Sequence, residues 1–315
     1  MTVRSGDINI GVVLAGPADS ADLPILCVHG WPELSHSWRH QMAYFAAAGR
    51  RIAAMDVRGY GQSDKPDPVS AYSLSALASD VAAVIDALGG RAILFGHDWG
   101  APIVWNTALR YPRQVAAVAG LSVPFSPWSD MRFLDVMRVM HAGKFFYQFY
   151  FQAEGVAEAE LAADPDALAK IYHALSGDAA YPGFGRKGPD GTLLEGVALP
   201  DPLPEWLPET DLAISKATFA AGGWRGPLNR YRAQDIDADE AVPLRGLHIS
   251  QPAAFIAGTR DPVRYFAPGM DLYAAAGAGC DDFRGTTLID GAGHWVQQEA
   301  PEQTNAALLA FVTGL

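Results

Sequence analysis

RAILFGHDWGAPIVW, residues 91–105, runs from an apolar stretch through Gly-His-Asp-Trp-Gly into a segment with apolar residues at helical spacing. The pattern predicts a strand, a sharp turn and a helix. Gly96 and Gly100 leave room for the turn, which strains the backbone at residue 98 and exposes its side chain. The N-terminus of the following helix favours an ionised carboxylate at that point. Asp98 could serve simply as a helix N-cap, a favoured use of Asp. The flanking glycines and the partner residues below favour a nucleophile.

Outward from this stretch, strand-like and helix-like segments alternate. INIGVVLAG (8–16), PILCVHG (24–30), RRIAAMDVRG (50–59) and VAAVAGLSV (115–123) read as strands. Between them lie SHSWRHQMAYFAAAG, LSALASDVAAVIDALGG and GAPIVWNTALRYP, apolar at helical spacing. Near-continuous apolar strands separated by helices indicate a parallel sheet covered on both faces. After Pro124 the chain becomes aromatic-rich and helical in period to about residue 240, and YPGFGRKGPDGTLLEGVALPDPLPEW (181–206) reads as a long loop with a short hairpin at its DGT. Alternation resumes with PAAFIAG (252–258), TTLIDGAG (286–293) and a closing helix at 301–312. The expected organisation is an α/β core, residues 1–124 and 241–315, interrupted by a helical cap over 125–240. Such a layout places a pocket between core and cap, above the C-terminal ends of the strands.

The composition narrows the function. A net charge of -12 argues against nucleic acid and anionic membranes as partners, since both need clustered Lys and Arg. No stretch approaches the roughly 18 apolar residues of a membrane span, and MTVRSGDINI lacks the apolar region of a secretory signal. Cys27 and Cys280 do not make a disulfide framework and read as reduced thiols. A cytoplasmic protein is expected. No metal-ligand cluster or phosphate-binding glycine loop is evident, so neither metal nor cofactor is expected.

A nucleophile at such a turn needs a base downstream and an acid to orient it, in the chain order nucleophile, acid, His. DGAGHWVQQEAPE (290–302) supplies His294 between a strand and the final helix, and AAFIAGTRDPVR (253–264) supplies Asp261 just past another strand. Asp before Pro is also ordinary turn chemistry. CVHGWPELSHSW (27–38) ends a strand where a second oxyanion-hole amide is required, which nominates the backbone N–H groups of Trp31 and Trp99. A tight turn here calls for a cis Trp31–Pro32 bond. His29 reads as a structural hydrogen-bonder of this loop rather than a second base.

The carboxylate at position 98 specifies the electrophile. A serine attacking saturated carbon would give an ether, which water cannot cleave. An aspartate gives an ester, which water activated by His294 can hydrolyse. The substrate therefore carries an electrophilic sp³ carbon, as in an epoxide or an alkyl halide. Ring opening creates an alkoxide, for which phenols are suitable proton donors. A departing halide instead needs N–H donors and aromatic edges.

Taken together, GHDWGA, HGWPELSHSW, DVRGYGQSDKP and GHW resemble the epoxide hydrolases of the α/β-hydrolase superfamily over almost the whole chain. GHDWG alone is shared with haloalkane dehalogenases. The resemblance implies the α/β-hydrolase fold, with a mostly parallel sheet and an inserted helical cap. In the cap, FYQFYFQAEGVAEAEL (146–161) and GWRGPLNRYRA (223–233) resemble the segments that carry the two tyrosines bonding the epoxide oxygen, which implies Tyr147 and Tyr231. The choice of Tyr147 over Tyr150 rests on family register, since 145–151 holds six aromatics. Glu33 resembles the family's water-positioning carboxylate, and a solvated loop acid is the other reading.

The expected activity is hydrolysis of an epoxide to a vicinal diol without a cofactor, a hydrolase acting on an ether bond in detoxification or catabolism. The alternatives are a haloalkane dehalogenase with the same nucleophile and a non-catalytic ligand-binding protein of the same fold. Phe125, Trp128, Phe133, Phe145 and Phe149 suggest an apolar pocket. The resemblance permits a monomer or a homodimer.

Overall fold

A computed structural model describes residues 1–179, 186–267 and 269–315. Its frame is an eight-stranded sheet: β1 (Thr2–Ser5), β2 (Ile8–Ala15), β3 (Ile25–Val28), β4 (Ile52–Met55), β5 (Ala92–His97), β6 (Val115–Leu121), β7 (Ile249–Gly258) and β8 (Cys280–Ile289). The spatial order is β1-β2-β4-β3-β5-β6-β7-β8. Every pair from β4 to β8 is parallel, whereas β1–β2 and β2–β4 are antiparallel.

Alternate residues of the central strands supply two cores, as a period of two requires. Leu26, Val28, Leu94 and Val118 face one side, where they meet α2 (Leu74–Leu88) and α3 (Gly100–Arg110) through Val81, Val84, Ile103 and Val104. Ile25, Cys27, Ile93 and Phe95 face the other side. There α1 (Arg39–Ala47) and the C-terminal helix contribute Met42, Phe45, Leu308 and Phe311. α2 shows how the sequence makes such a helix. Leu74, Leu77, Ala78, Val81, Val84, Ile85 and Leu88 are all buried, and the Ser73 side chain caps its start by accepting from the Ala76 N–H.

Between β6 and β7 the described residues form no strand. They form α4 (Phe133–Met140), α5 (Tyr147–Tyr150), α6 (Val156–Ala163), α7 (Ala167–Leu175), α8 (Glu209–Gly222), α9 (Arg225–Arg232) and α10 (Gln234–Glu240). After β8 come α11 (Val296–Glu299) and α12 (Pro301–Thr313). None of the described helices is long and apolar enough to cross a membrane.

Three sequence expectations change. β1 is an additional strand, turned back onto β2 through Gly6, whose φ is 55°. β8 begins at Cys280, well before the expected TTLI, because an edge strand with one neighbour keeps exposed polar residues such as Asp281 and Arg284. The expected hairpin at DGT is instead a turn closed by the Gly191 N–H on the Gly188 carbonyl. Residues 181–185 of that expected loop lie outside the described residues.

Backbones come close together where β3, β5 and α3 meet. A Cβ added to Gly100 would sit 2.0 Å from the Val28 carbonyl oxygen, and one on Gly96 would sit 2.3 Å from the Gly100 oxygen. Backbone cannot withdraw as a flexible side chain can. Gly100→Ala is therefore expected to cost about 1–3 kcal/mol and lower the unfolding midpoint by about 2–12 °C. Thermal unfolding measures this, and an unchanged midpoint would mean that β3 and α3 separate here freely.

Candidate active site

The C-terminal strand ends carry the expected residues into one place. Asp98 follows β5 and takes a φ of 50°, which a residue bearing a side chain seldom adopts. This projects its carboxylate instead of capping α3. Oδ1 accepts a 2.7 Å hydrogen bond from the Trp31 backbone N–H, and Oδ2 lies 3.2 Å from His294 Nε2. Gly30 makes that approach possible, since a Cβ there would lie 2.3 Å from Asp98 Oδ1 and 2.6 Å from the Trp99 nitrogen. The Trp31–Pro32 bond is cis.

His294 follows β8 and is almost wholly buried. Its Nδ1 lies 3.2 and 3.1 Å from the two oxygens of Asp261, which follows β7. Burial disfavours the imidazolium, but the carboxylates of Asp261 and Asp98 outweigh it and hold the His294 pKa well above its ordinary value. Burial likewise opposes the charge on Asp261. The facing His294, with donors from Tyr273 and the Val263 N–H, outweighs it and keeps that carboxyl below its usual value.

A supporting layer absent from the sequence reading holds these groups. Tyr273 donates to Asp261 Oδ2 at 2.7 Å, and its hydroxyl also lies 2.9 Å from the Ser122 carbonyl oxygen. Ser122, with a φ of 64°, donates its hydroxyl to the His294 carbonyl oxygen at 2.7 Å. His97 Nε2 reaches the same carbonyl at 2.7 Å while its Nδ1 meets Glu33 Oε2 at 2.7 Å. His97 thereby links Glu33 to the backbone carbonyl of His294.

Glu33 is not the solvated loop acid of the alternative reading. It is fully buried, and its oxygens accept from the Gly30 N–H, His97, Gln297 and Gln298. His29 is structural as expected. Its Nε2 accepts from the Val57 N–H while Nδ1 faces the Gly30 carbonyl oxygen, which fixes one neutral tautomer. Cys27 and Cys280 are free, and burial pushes both thiols up, Cys280 to about 11.

A cavity of about 480 Å³ opens above Asp98 and His294. Tyr147 from α5 and Tyr231 from α9 line it, with ring centroids 5.8 Å apart and edge to face. Tyr150 does not line it. That ring packs against Phe145 and Phe151 instead. Burial raises the Tyr147 pKa, while a hydrogen bond from Gln148 works the other way. Burial also raises that of Tyr231, against a hydrogen bond from Trp99.

Of the five aromatics expected to line an apolar pocket, only Phe145 does so. Phe125 packs on Trp105, Trp128 donates to Asn106, Phe133 stacks on Phe266 and Phe149 packs on Phe146. The cavity is apolar through Phe146, Ile171, Leu175, Leu193, Leu194 and Val197 instead. The five could not be sorted by sequence, because which face of a short helix meets the cavity depends on how the helices pack.

Arg230 is a further residue without a sequence signal. Its buried guanidinium lies 4.7 Å over the Trp99 ring, and it bonds the Tyr72 carbonyl and Asp237. Asp237 in turn accepts from the Leu74 N–H at the start of α2. Through these contacts α9 is fastened to α2 and to Trp99 beside Asp98. No cluster of potential metal ligands occurs among the described residues.

The family model described as alpha/beta hydrolase fold matches residues 24–301. Epoxide hydrolase A of Mycobacterium tuberculosis (strain ATCC 25618 / H37Rv) is 40% identical over 99% of this chain and 97% of its own length. The crystal structure of epoxide hydrolase A from Mycobacterium thermoresistibile superposes with a TM-score of 0.91 at 39% identity, covering 100% of this chain and 98% of that one. An epoxide hydrolase from an endophytic Streptomyces gives 0.90 at 38% identity, covering 100% and 94%.

Tyr273→Phe removes a donor from the buried Asp261 carboxylate. Hydrogen bonds to charged groups contribute about 1.5–3 kcal/mol, so a loss of that size is expected in denaturant unfolding at neutral pH. Unaltered stability would show that the hydroxyl is dispensable to the folded state.

Proposed function

The chain belongs to the epoxide hydrolases of the α/β-hydrolase family, and from this membership and the geometry of its site we propose that it converts epoxides to vicinal diols through a covalent ester on Asp98. Tyr147 and Tyr231 hydrogen-bond the epoxide oxygen from the cap side of the cavity. Asp98 Oδ2 attacks a ring carbon, the carbon–oxygen bond breaks, and the departing oxygen takes a phenol proton. Water then attacks the Asp98 carbonyl carbon as His294 removes its proton, and Asp261 stabilises the imidazolium; the ester carbon–oxygen bond then breaks, and the leaving oxygen takes the proton from His294 to release the diol. The Trp31 N–H already bonds Asp98 Oδ1, the oxygen that carries the negative charge of the tetrahedral intermediate. The Trp99 N–H is the second donor. Glu33 serves the water step at one remove, holding His97, which holds the His294 carbonyl.

The observation that carries the proposal is the division of labour at one carboxylate, one oxygen on an amide and the other facing a buried base, beneath two phenols. It also accounts for how a histidine with a raised pKa can act as a base. The ester abolishes the charge on Asp98, so one of the carboxylates favouring the imidazolium disappears just before a base is required. The apolar lining and volume suit an epoxide with sizeable hydrocarbon substituents. Dehalogenation has weaker support, because the relatives and solved structures named above are epoxide hydrolases and two phenols line the cavity over Asp98.

His294→Ala removes the base and should trap the ester. After exposure to epoxides, intact mass should rise by one whole epoxide, on the peptide containing Asp98. A gain of a haloalkane minus HX would instead establish dehalogenation. Folded protein that gained no mass from a substrate turned over by the wild type would count against a covalent route.

The wild type should show the same dependence through pH. The hydrolysis step needs neutral His294, whereas attack by Asp98 proceeds beside its protonated form. The quenched fraction of alkyl-enzyme should therefore rise as pH falls. A fraction independent of pH would remove His294 from the base role.

A further inference from the structure

Tyr147 and Tyr231 are tied together by glutamine side chains to which the reaction as set out above gives no part. Gln234 Nε2 lies 3.0 Å from the Tyr231 carbonyl oxygen and 2.9 Å from Gln148 Oε1. Gln148 Nε2 lies 2.9 Å from the Tyr147 hydroxyl oxygen. Gln152 joins the Gln148 carbonyl at 2.8 Å to the Tyr231 carbonyl at 3.1 Å. Gln148 itself is buried.

This arrangement permits only one orientation of the amides. A backbone carbonyl can only accept, so the Gln234 atom facing it is nitrogen. That nitrogen donates to the Gln148 atom beside it, which must be oxygen. The remaining Gln148 atom is nitrogen, and it donates to Tyr147. One lone pair of the phenol is thereby occupied, and the O–H bond must leave in another direction.

We infer that Gln148, set by Gln234, is a positioning residue for ring opening: it turns the Tyr147 O–H toward the epoxide oxygen and stabilises the phenolate left behind. This rests on the proposed function. In the step concerned the Asp98–carbon bond forms, the epoxide carbon–oxygen bond breaks, and its electron pair takes the Tyr147 proton. Negative charge appears on the phenol oxygen within reach of the Gln148 N–H, and a hydrogen bond to a charged oxygen is stronger than one to a neutral phenol. The proton that the Asp98 carboxyl sheds after ester hydrolysis restores the phenol. Tyr147 is partly buried, and its removal from water raises its pKa and opposes the phenolate, while the Gln148 hydrogen bond acts in the opposite direction.

The test separates the two chemical steps in Gln148→Leu and Gln148→Glu, the second keeping the shape of the side chain while replacing its donor. Single-turnover ester formation, followed by mass, should slow about tenfold in both, as expected for one charged hydrogen bond. Ester hydrolysis should stay within about twofold, because it does not involve the phenol. Adding Gln148→Leu to Tyr147→Phe should slow ester formation no further. Unchanged ester formation in both variants, equal slowing of both steps, or a full additional loss on top of Tyr147→Phe would overturn the inference. Wild-type protein that turned over epoxide without an Asp98 ester would instead overturn the proposed function.

Discussion

Three pieces of backbone converge on Asp98 at separations that leave no space for a Cβ. Gly30 approaches the carboxylate and the Trp99 nitrogen, Gly96 approaches Gly100, and Gly100 approaches the Val28 carbonyl. This closeness lets the amide after β3 reach the side chain after β5, and the left-handed φ of Asp98 follows from the same crowding. The strain is sustained by the sheet itself. β3 and β5 pair in parallel from Ile25 with Ile93 to Val28 with Gly96, and fully buried apolar residues cover both faces. A fixed strand pair thus sets the distance between the Asp98 carboxylate and the Trp31 N–H, which leaves little reorganisation for the reaction proposed above.

Charge is handled with the same economy of movement. His294 stands between two carboxylates, those of Asp261 and Asp98. Its ring is fixed from both ends, by Asp261 at Nδ1 and by His97 and Ser122 at its backbone carbonyl. Asp261 is held by Tyr273, and His97 by Glu33, which is held by two glutamines. Buried polar groups are tolerable because nearly every one named here has a partner. Helix α9 is tied to the sheet side of the site through Arg230, which spans from Trp99 to the start of α2 by way of Asp237, next to Tyr231.

Local pattern was enough for those parts of the protein in which one residue type had one physical use. Flanking glycines at 96 and 100, an apolar run before them and a helical period after them make a strand, turn and helix in any context. An aspartate at that turn selects saturated carbon by the chemistry of its ester. His294 and Asp261 were legible because chain order and strand ends constrain them. β1 and most of β8 were not legible, since edge strands expose polar residues that read as loop.

Tertiary structure decided everything that depends on which side of a short segment faces inward. Six aromatics in seven residues say nothing about which ring reaches the cavity; the packing of α5 brings in Tyr147 and turns Tyr150 toward Phe145. Only one of five nominated pocket aromatics lines the cavity; Phe125, Trp128 and Phe133 pack on Trp105, Asn106 and Phe266, and Phe149 on its neighbour Phe146. Glu33 could be a solvated acid in sequence and is a buried, fully bonded one in the fold. Tyr273, Ser122, Arg230 and Gln148 carry no motif, because a hydrogen bond between residues far apart leaves no local trace. The sequence by itself singled out Asp98, His294 and Asp261 and the epoxide hydrolase family whose pattern they fit, since these are properties of residue type and order. The directions in which protons and rings point belong to the packing alone.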